Sequence, residues 1–186
     1  MKEIELFIND DGEWIDRISL VEEPAIETDF MAFAKEHMMF STDDDKQILT
    51  GPVMIPDKRM YRNYNGGCMV YFSAATIREA AYRWIKENKS HCFNIDHNTD
   101  IHSVSVIESW IVEDPMQDKS AFLGFTDIPA GTWFISCKID DPELWAMIKS
   151  GEFNGFSVEG LFRFYEPEEF SIIREAEEYL ESVEKN

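Results

Sequence analysis

The stretch Gly151-Glu152-Phe153-Asn154-Gly155-Phe156-Ser157-Val158-Glu159-Gly160 joins a short amphipathic helix pattern to a run of strand-forming residues. Two glycines and an asparagine free the backbone just before Ser157, and Gly160 leaves room for another backbone to approach closely. Ser157 is predicted near the start of a strand, where a serine is either an ordinary strand residue or a nucleophile. A nucleophilic serine needs a base beside it, so the histidines of the chain decide between these two interpretations.

The segments around this stretch predict a helix and two strands. A helix is expected from Pro142, with Asp140 or Asp141 as its N-cap and proline at its first position, and it is expected to end at Gly151. Residues 132–139 precede it as a strand, and residues 156–164 follow it as another.

The rest of the chain alternates strand patterns with turns, and one further helix is predicted over residues 74–88 after the capping residue Ser73. The first two strands are expected to form a hairpin around Asp10-Asp11-Gly12, and residues 26–40 are expected to form either a short helix or a covering arm.

We expect an α+β fold, a mostly antiparallel small β-barrel of about seven strands with two or three helices outside. Residues 1–165 are predicted as one domain, and residues 166–186 as an acidic C-terminal helix or tail. The remaining strands are predicted over residues 4–8, 14–21, 47–56, 68–72, 93–97 and 104–112.

The composition excludes several classes of function. The 186 residues include 37 acids and 17 bases, a net charge of −20, so direct binding to nucleic acid or to an anionic membrane is not expected. The three cysteines form no CxxC pair, which argues against a disulfide framework and a zinc site. No apolar run is long enough to span a membrane, and the acidic start of the chain does not resemble a signal peptide. We predict no metal and no cofactor, and a cytosolic setting.

His97 is the best candidate for a base among the four histidines, which are His37, His91, His97 and His102. His97 ends a predicted strand, so its imidazole is expected at the rim of a sheet, with His102 as a possible cross-strand neighbour. Two histidines near acids also suggest a metal site, but no metal-binding motif accompanies them. A hydrolase would require Ser157 within hydrogen-bond reach of His97, and the absence of a GxSxG elbow disfavours an α/β-hydrolase.

Three motifs resemble those of tailed-phage prohead (capsid maturation) proteases. Residues 148–158 (IKSGEFNGFSV) resemble the family's serine motif, Asp96-His97-Asn98 resembles its histidine motif, and residues 18–25 (ISLVEEPA) resemble a strand that the family usually places after the serine. The chain therefore resembles a permuted branch, similar to protease and scaffold proteins of Bacillus-type prophages. The resemblance covers most of residues 14–164.

This resemblance implies a fold related to herpesvirus assemblin and a serine endopeptidase that trims capsid and scaffold proteins during prohead maturation. Ser157 would be the nucleophile, and His97 would be the general base and then the acid for the leaving amine. The major capsid protein and the scaffold would be its substrates, inside the procapsid in the host cytoplasm, and a homo-oligomer is one option.

The third catalytic residue is where the chain departs from the family. The position that holds an acid in the family falls on Arg17, which cannot orient an imidazole. Glu108, on the strand after His97, and Asp16, next to Arg17, are the leading candidates. Glu159 shares a strand face with Ser157 and is the third candidate. For each acid the alternative is a solvated strand residue or an ion pair.

A rival function is a non-catalytic internal scaffold on the same fold, acting through the acidic surface. The one basic patch, Lys58-Arg59-Met60-Tyr61-Arg62, either holds an acidic substrate segment or is a solvated loop. The acidic C-terminal helix is either a scaffold-like contact or a linker.

Overall fold

The computed structural model describes residues 2–8, 14–22, 41–43, 46–63 and 66–164. These residues form twelve strands and three helices, which confirms the α+β class. The helices are α1 (Ala74–Lys86), α2 (Lys119–Phe122) and α3 (Pro142–Ser150). The strands are β1 (Lys2–Phe7), β2 (Ile15–Val21), β3 (Ser41–Asp43), β4 (Ile48–Met54), β5 (Met60–Arg62), β6 (Cys68–Tyr71), β7 (Phe93–Ile95), β8 (Thr99–Ile101), β9 (Val104–Ile111), β10 (Trp133–Ile139), β11 (Gly155–Gly160) and β12 (Arg163–Phe164).

The strands form three four-stranded sheets, in the orders β12-β1-β6-β5, β3-β4-β10-β9 and β11-β2-β7-β8. The pairs β1–β6 and β2–β7 are parallel and the other described pairs are antiparallel, as predicted for most of the fold. The third sheet is the one that carries the candidate site.

The small barrel that the sequence predicted is not found among the described residues, where the three sheets remain open. Strand β11 lies against β4 of the neighbouring sheet, but no ladder of hydrogen bonds joins the two strands. There are more strands than the predicted seven because several short strands lie in segments predicted as loops.

The predicted hairpin of the first two strands is wrong. Strand β1 pairs with β6 and β12, and β2 pairs with β11 and β7, so the two neighbours in sequence belong to different sheets. An alternating apolar pattern indicates a strand but does not name its partner. The Asp10-Asp11-Gly12 turn, residues 26–40 and the acidic tail 166–186, and so the domain boundary at 165, lie outside the described residues.

One hydrophobic core joins all three sheets and the two longer helices. Helix α1 packs on β9 and β10 and inserts Trp84, whose ring meets Trp133 edge to face with 6.3 Å between centroids. Both tryptophans are almost fully buried, and burying one large apolar side chain contributes about 1.5–3 kcal/mol to stability. Within the described part of the chain, no helix is long and apolar enough to cross a bilayer.

Candidate active site

Three adjacent strands align three polar residues across the third sheet. Ser157 of β11 is the register partner of Ser19 of β2, and Ser19 is the partner of Asn94 of β7. Their exposed fractions are 3%, 0% and 2%. Buried polar side chains require hydrogen-bond partners, so this row is held by bonds between side chains.

Local sequence signals bring Ser157 to its place in the row. Asp141 caps α3 by accepting from the backbone N–H groups of Glu143 and Leu144, and Gly151 ends the helix in the left-handed conformation at φ 83°. Strand β11 then begins two residues before Ser157. Helix and strand are therefore joined by a short, capped connection that fixes the start of β11.

Gly160 lets β11 and β2 approach each other at the far end of their pairing. A Cβ atom at this position would lie 2.1 Å from the carbonyl oxygen of Trp14, so no larger residue fits without a backbone shift. The register also shifts by a bulge between Glu159 and Gly160. The room that the sequence predicted at Gly160 is therefore filled by the backbone of β2.

His97 lies in the turn between β7 and β8, two residues beyond the end of the strand. Asp96 and His97 both have positive φ, 47° and 57°, as in the tight turns that suit twisted hairpins. The backbone N–H of Asp96 donates to the carbonyl of Leu20 at 3.0 Å, which ties the turn to β2. Aspartate and histidine are among the non-glycine residues that adopt positive φ most readily, so this turn forms with little strain.

The turn brings the imidazole of His97 between the two serines. Its Nε2 lies 3.1 Å from Ser157 Oγ, and its Nδ1 lies 2.8 Å from Ser19 Oγ. Ser19 Oγ bonds Asn94 Oδ1 at 2.5 Å, and Asn94 Nδ2 donates to Glu159 Oε2 at 2.8 Å. Glu159 Oε2 also lies 3.8 Å from His97 Nδ1.

The carboxylate of Glu159 sets the direction of this network. An ionised carboxylate only accepts, so Asn94 turns its amide nitrogen to Glu159 and its oxygen to Ser19. The hydroxyl of Ser19 then donates to Asn94 and accepts from Nδ1–H of His97. Consequently Nε2 of His97 carries a free lone pair, which faces the hydroxyl of Ser157 and can accept its proton.

The leading candidates for the third catalytic residue are placed elsewhere. Glu108 lies on β9 in another sheet, where Lys119 bonds it and, together with Ser136, lowers the pKa of its carboxyl. Asp16 accepts from the indole of Trp14 and lies 3.7 Å from Nζ of Lys89. Neither acid is among the hydrogen-bond or ion-pair partners of His97 in the described residues.

Two physical reasons account for these placements. Strand β8, which the sequence did not predict, pairs with β7 and takes the place expected for the strand carrying Glu108. Asp16 alternates with Arg17 along β2 and so projects from the opposite face of the strand.

Arg17 lies opposite Glu159 in register and forms an ion pair with Asp100 at 2.9 Å, an interaction that raises the pKa of its guanidinium. His102, expected beside His97, follows β8 and is exposed.

Sequence reasoning missed Ser19 and Asn94. Each is a polar residue between two apolar strand residues, Ile18 and Leu20 for Ser19, and Phe93 and Ile95 for Asn94. In a half-exposed strand this alternation is also the pattern of a side chain that faces solvent, so the sequence did not distinguish a buried polar group from an exposed one. Which partners they have depends on the pairing of β2 with β7, which the sequence did not show.

A serine hydrogen-bonded to an imidazole, whose other nitrogen is held in one tautomer, is the constellation of serine hydrolases. The chain belongs to the family described as "Putative phage serine protease XkdF", whose model matches residues 35–166. This membership confirms the resemblance to phage proteases that the motifs predicted.

One curated relative is the "Phage-like element PBSX protein XkdF" of Bacillus subtilis (strain 168). The two chains are 27% identical over 161 residues, which cover 81% of this chain and 54% of the relative. This chain therefore spans about half the length of that protein. No solved structure gives a significant match.

Proposed function

We propose that this protein is a serine endopeptidase that cleaves capsid and scaffold proteins during phage prohead maturation. The observation that carries the proposal is the directed network from Ser157 through His97 to Glu159. Family membership supports the protease class, and the serine and histidine motifs support the prohead setting, inside a procapsid in the host cytoplasm. An assemblin-like ancestry of the fold is part of the same proposal.

In the proposed acylation step, Ser157 Oγ attacks the carbonyl carbon of the scissile peptide bond while His97 Nε2 takes the hydroxyl proton. The tetrahedral intermediate collapses as the C–N bond breaks, and His97 gives the same proton to the leaving amine. A water molecule then attacks the acyl-enzyme, with His97 again as base, and releases the acid product and the free serine.

In this proposal the third position is filled by a group of residues. Ser19 holds Nδ1 of His97 in its protonated form, and Asn94 holds the hydroxyl of Ser19. Glu159 fixes the orientation of Asn94 and supplies negative charge 3.8 Å from the imidazolium that forms during proton transfer. Ser19, Asn94 and Glu159 are positioning residues, since none of them touches the reacting atoms.

The test is co-expression of the full chain with the major capsid and scaffold proteins of the same phage element. We expect the wild-type chain to shorten one or both of them, and the Ser157→Ala variant to leave them at full length, as read by intact-protein mass spectrometry. The matched control is Ser150→Ala, an exposed serine at the end of α3 that bonds only local groups.

Equal processing by the wild-type chain and the Ser157→Ala variant would contradict the protease proposal. Proheads that assemble with both chains, with no shortening by either, would favour the rival function of an internal scaffold. The net charge of −20 suits that rival as well as a protease packaged with a basic partner.

A further inference from the structure

A small cleft opens beside Ser157, between β11 and the segment that runs from β4 to β6. Its volume is about 80 Å³. Residues of β11 on both sides of Ser157 form one wall, so a side chain bound here lies next to the proposed nucleophile. The apolar part of the lining consists mainly of Val53, Met54, Met60, Phe72, Phe156 and Val158.

Lys58 is the one titratable residue among the described residues that line this cleft. Its side chain is half-buried and makes no hydrogen bond or ion pair with the part of the chain that the structure describes, and burial lowers the pKa of its ammonium. Taking an ammonium out of water without a partner is unfavourable. The cleft therefore contains a cation that a bound anion would stabilise.

The other cations of the same loop already have partners. Arg59 pairs with Glu3 at 3.2 Å and with Asp57 at 3.6 Å, and it lies over the ring of Tyr71. Arg62 donates to the carbonyl of Tyr61. Of the cations of the basic patch noted in the sequence, Lys58 is the one that lines the cleft.

We propose that this cleft is the specificity subsite of the protease, and that it selects a substrate segment in which an acidic side chain pairs with Lys58 next to an apolar side chain. The inference rests on the proposed function and names its substrate class. The ion pair with Lys58 acts at short range and so offsets the long-range, salt-screened repulsion between an acidic peptide and a chain with a net charge of −20.

The test uses the full chain and fluorogenic peptides that differ at one position near the scissile bond, with Glu, Gln or Lys there. We expect the wild-type chain to cleave the Glu peptide about 10- to 100-fold more efficiently than the Gln peptide, the range expected for a hydrogen bond to a charged group. Lys58→Gln should abolish this preference, and Lys58→Glu should shift it towards the Lys peptide.

Arg59→Gln is the matched control, because it removes the same charge from the same loop outside the cleft. We expect it to leave the Glu preference unchanged. Binding of the same peptides to the Ser157→Ala variant, with and without Lys58→Gln, measures the subsite independently of cleavage. Circular dichroism establishes that each variant is folded.

The outcomes separate the two proposals. Cleavage of the Glu and Gln peptides with equal efficiency, or a Glu preference that survives Lys58→Gln, overturns the subsite and leaves the protease in place. A Glu preference in binding without cleavage of any peptide supports the subsite and contradicts the protease.

The pH dependence gives a second readout. The Glu preference should decline as pH rises through the pKa of Lys58, because a neutral amine does not attract a carboxylate. That decline should fall below the ordinary lysine range of about 10.4, since burial lowers this pKa. A Glu preference that stays constant beyond that range overturns the role of Lys58.

Discussion

Ser157 meets a basic nitrogen of His97 only while the imidazole keeps its proton on Nδ1. In a Ser-His-Asp triad a carboxylate bonded directly to Nδ1 enforces this tautomer. Here the hydrogen-bond partner of Nδ1 is Ser19, whose hydroxyl can either donate or accept. Glu159 determines that the Ser19 hydroxyl accepts from Nδ1–H, because Glu159 orients Asn94 and Asn94 in turn accepts from Ser19. The carboxylate thus acts mainly through Asn94 and Ser19.

Replacing Ser19 by alanine should lower kcat/KM by about 100-fold. The loss is smaller than the roughly 10⁴-fold loss in kcat on replacing a triad Asp by Asn, because Glu159 remains near Nδ1. Steady-state cleavage of a fluorogenic peptide measures the loss in kcat/KM. The control is Ser105→Ala, because Ser105 also hydrogen-bonds a histidine, the exposed His91. Activity equal to that of the wild-type chain would contradict the positioning role of Ser19.

Replacing Glu159 by glutamine should lower kcat by about 10-fold and leave KM unchanged, because the carboxamide can donate as well as accept and no longer imposes one direction on the network. Glu152→Gln, an exposed acid beyond the end of α3, is the matched control. A change in KM alone would indicate that Glu159 contacts substrate instead.

Ser19 and Glu159 belong to one network, so their effects should not add. In a double-mutant cycle of Ser19→Ala and Glu159→Gln, the double variant should lose less activity than the product of the two single losses. The direction imposed by Glu159 reaches His97 through Ser19, so after Ser19→Ala only the direct charge of Glu159 near Nδ1 is left to lose. Losses that multiply in full would show that the two residues act independently.

At this scale the sequence indicated the candidate pair Ser157 and His97 and missed the residues that hydrogen-bond around it. Ser157 and His97 stand in recognisable local motifs, and the structure brings them to 3.1 Å. Their catalytic roles stay a prediction until they are tested. Ser19 and Asn94 become neighbours only through the pairing of β2 with β7, which joins segments about 75 residues apart.

Among the elements, α3 and β11 illustrate how far local signals extend. The helix begins at Pro142 after the capping residue Asp141 and ends at Gly151, as the sequence predicted, because caps depend on residues within one turn. The pairing of β11 with β2 depends instead on the fit of Gly160 against Trp14, a contact between distant parts of the chain.

Gly160→Ala should lower the free energy of unfolding by about 1–3 kcal/mol, the range for overpacking, because its Cβ meets the backbone of Trp14. It should also lower peptidase activity, since the clash displaces the end of β2. Chemical denaturation measures the first effect, and peptide cleavage the second.

The control for Gly160 is Gly124→Ala. Gly124 has φ +93° and open space around its Cβ position, so alanine there should cost only backbone strain of about 1–2 kcal/mol and leave activity unchanged. If Gly160→Ala were as stable and as active as the wild-type chain, the close approach of β11 and β2 would be wrong.

At the scale of the whole molecule, the α+β class and the preference for antiparallel pairing followed from the strand and helix patterns. The arrangement of the strands in three sheets did not, because register and partners are set by contacts between segments far apart in sequence. The candidate site depends directly on this arrangement, because β2 lies between β11, which carries Ser157, and β7, which precedes His97.

The net charge of −20 should make stability depend on salt. Raising ionic strength from about 0.01 to 0.15 M shortens the Debye length from about 30 to 8 Å and screens the repulsion among the acids. We therefore expect Tm to rise over this range in differential scanning calorimetry. A Tm that falls instead would show that attractive ion pairs outweigh the repulsion.

The central claim is that His97 activates Ser157 as a nucleophile, and covalent labelling tests it most directly. A fluorophosphonate reacts with activated serines, and tandem mass spectrometry identifies the modified residue. The account predicts one labelled residue, Ser157, with labelling lost in His97→Ala and slowed in Ser19→Ala. Absence of labelling at Ser157, or equal labelling in the His97→Ala variant, would contradict it.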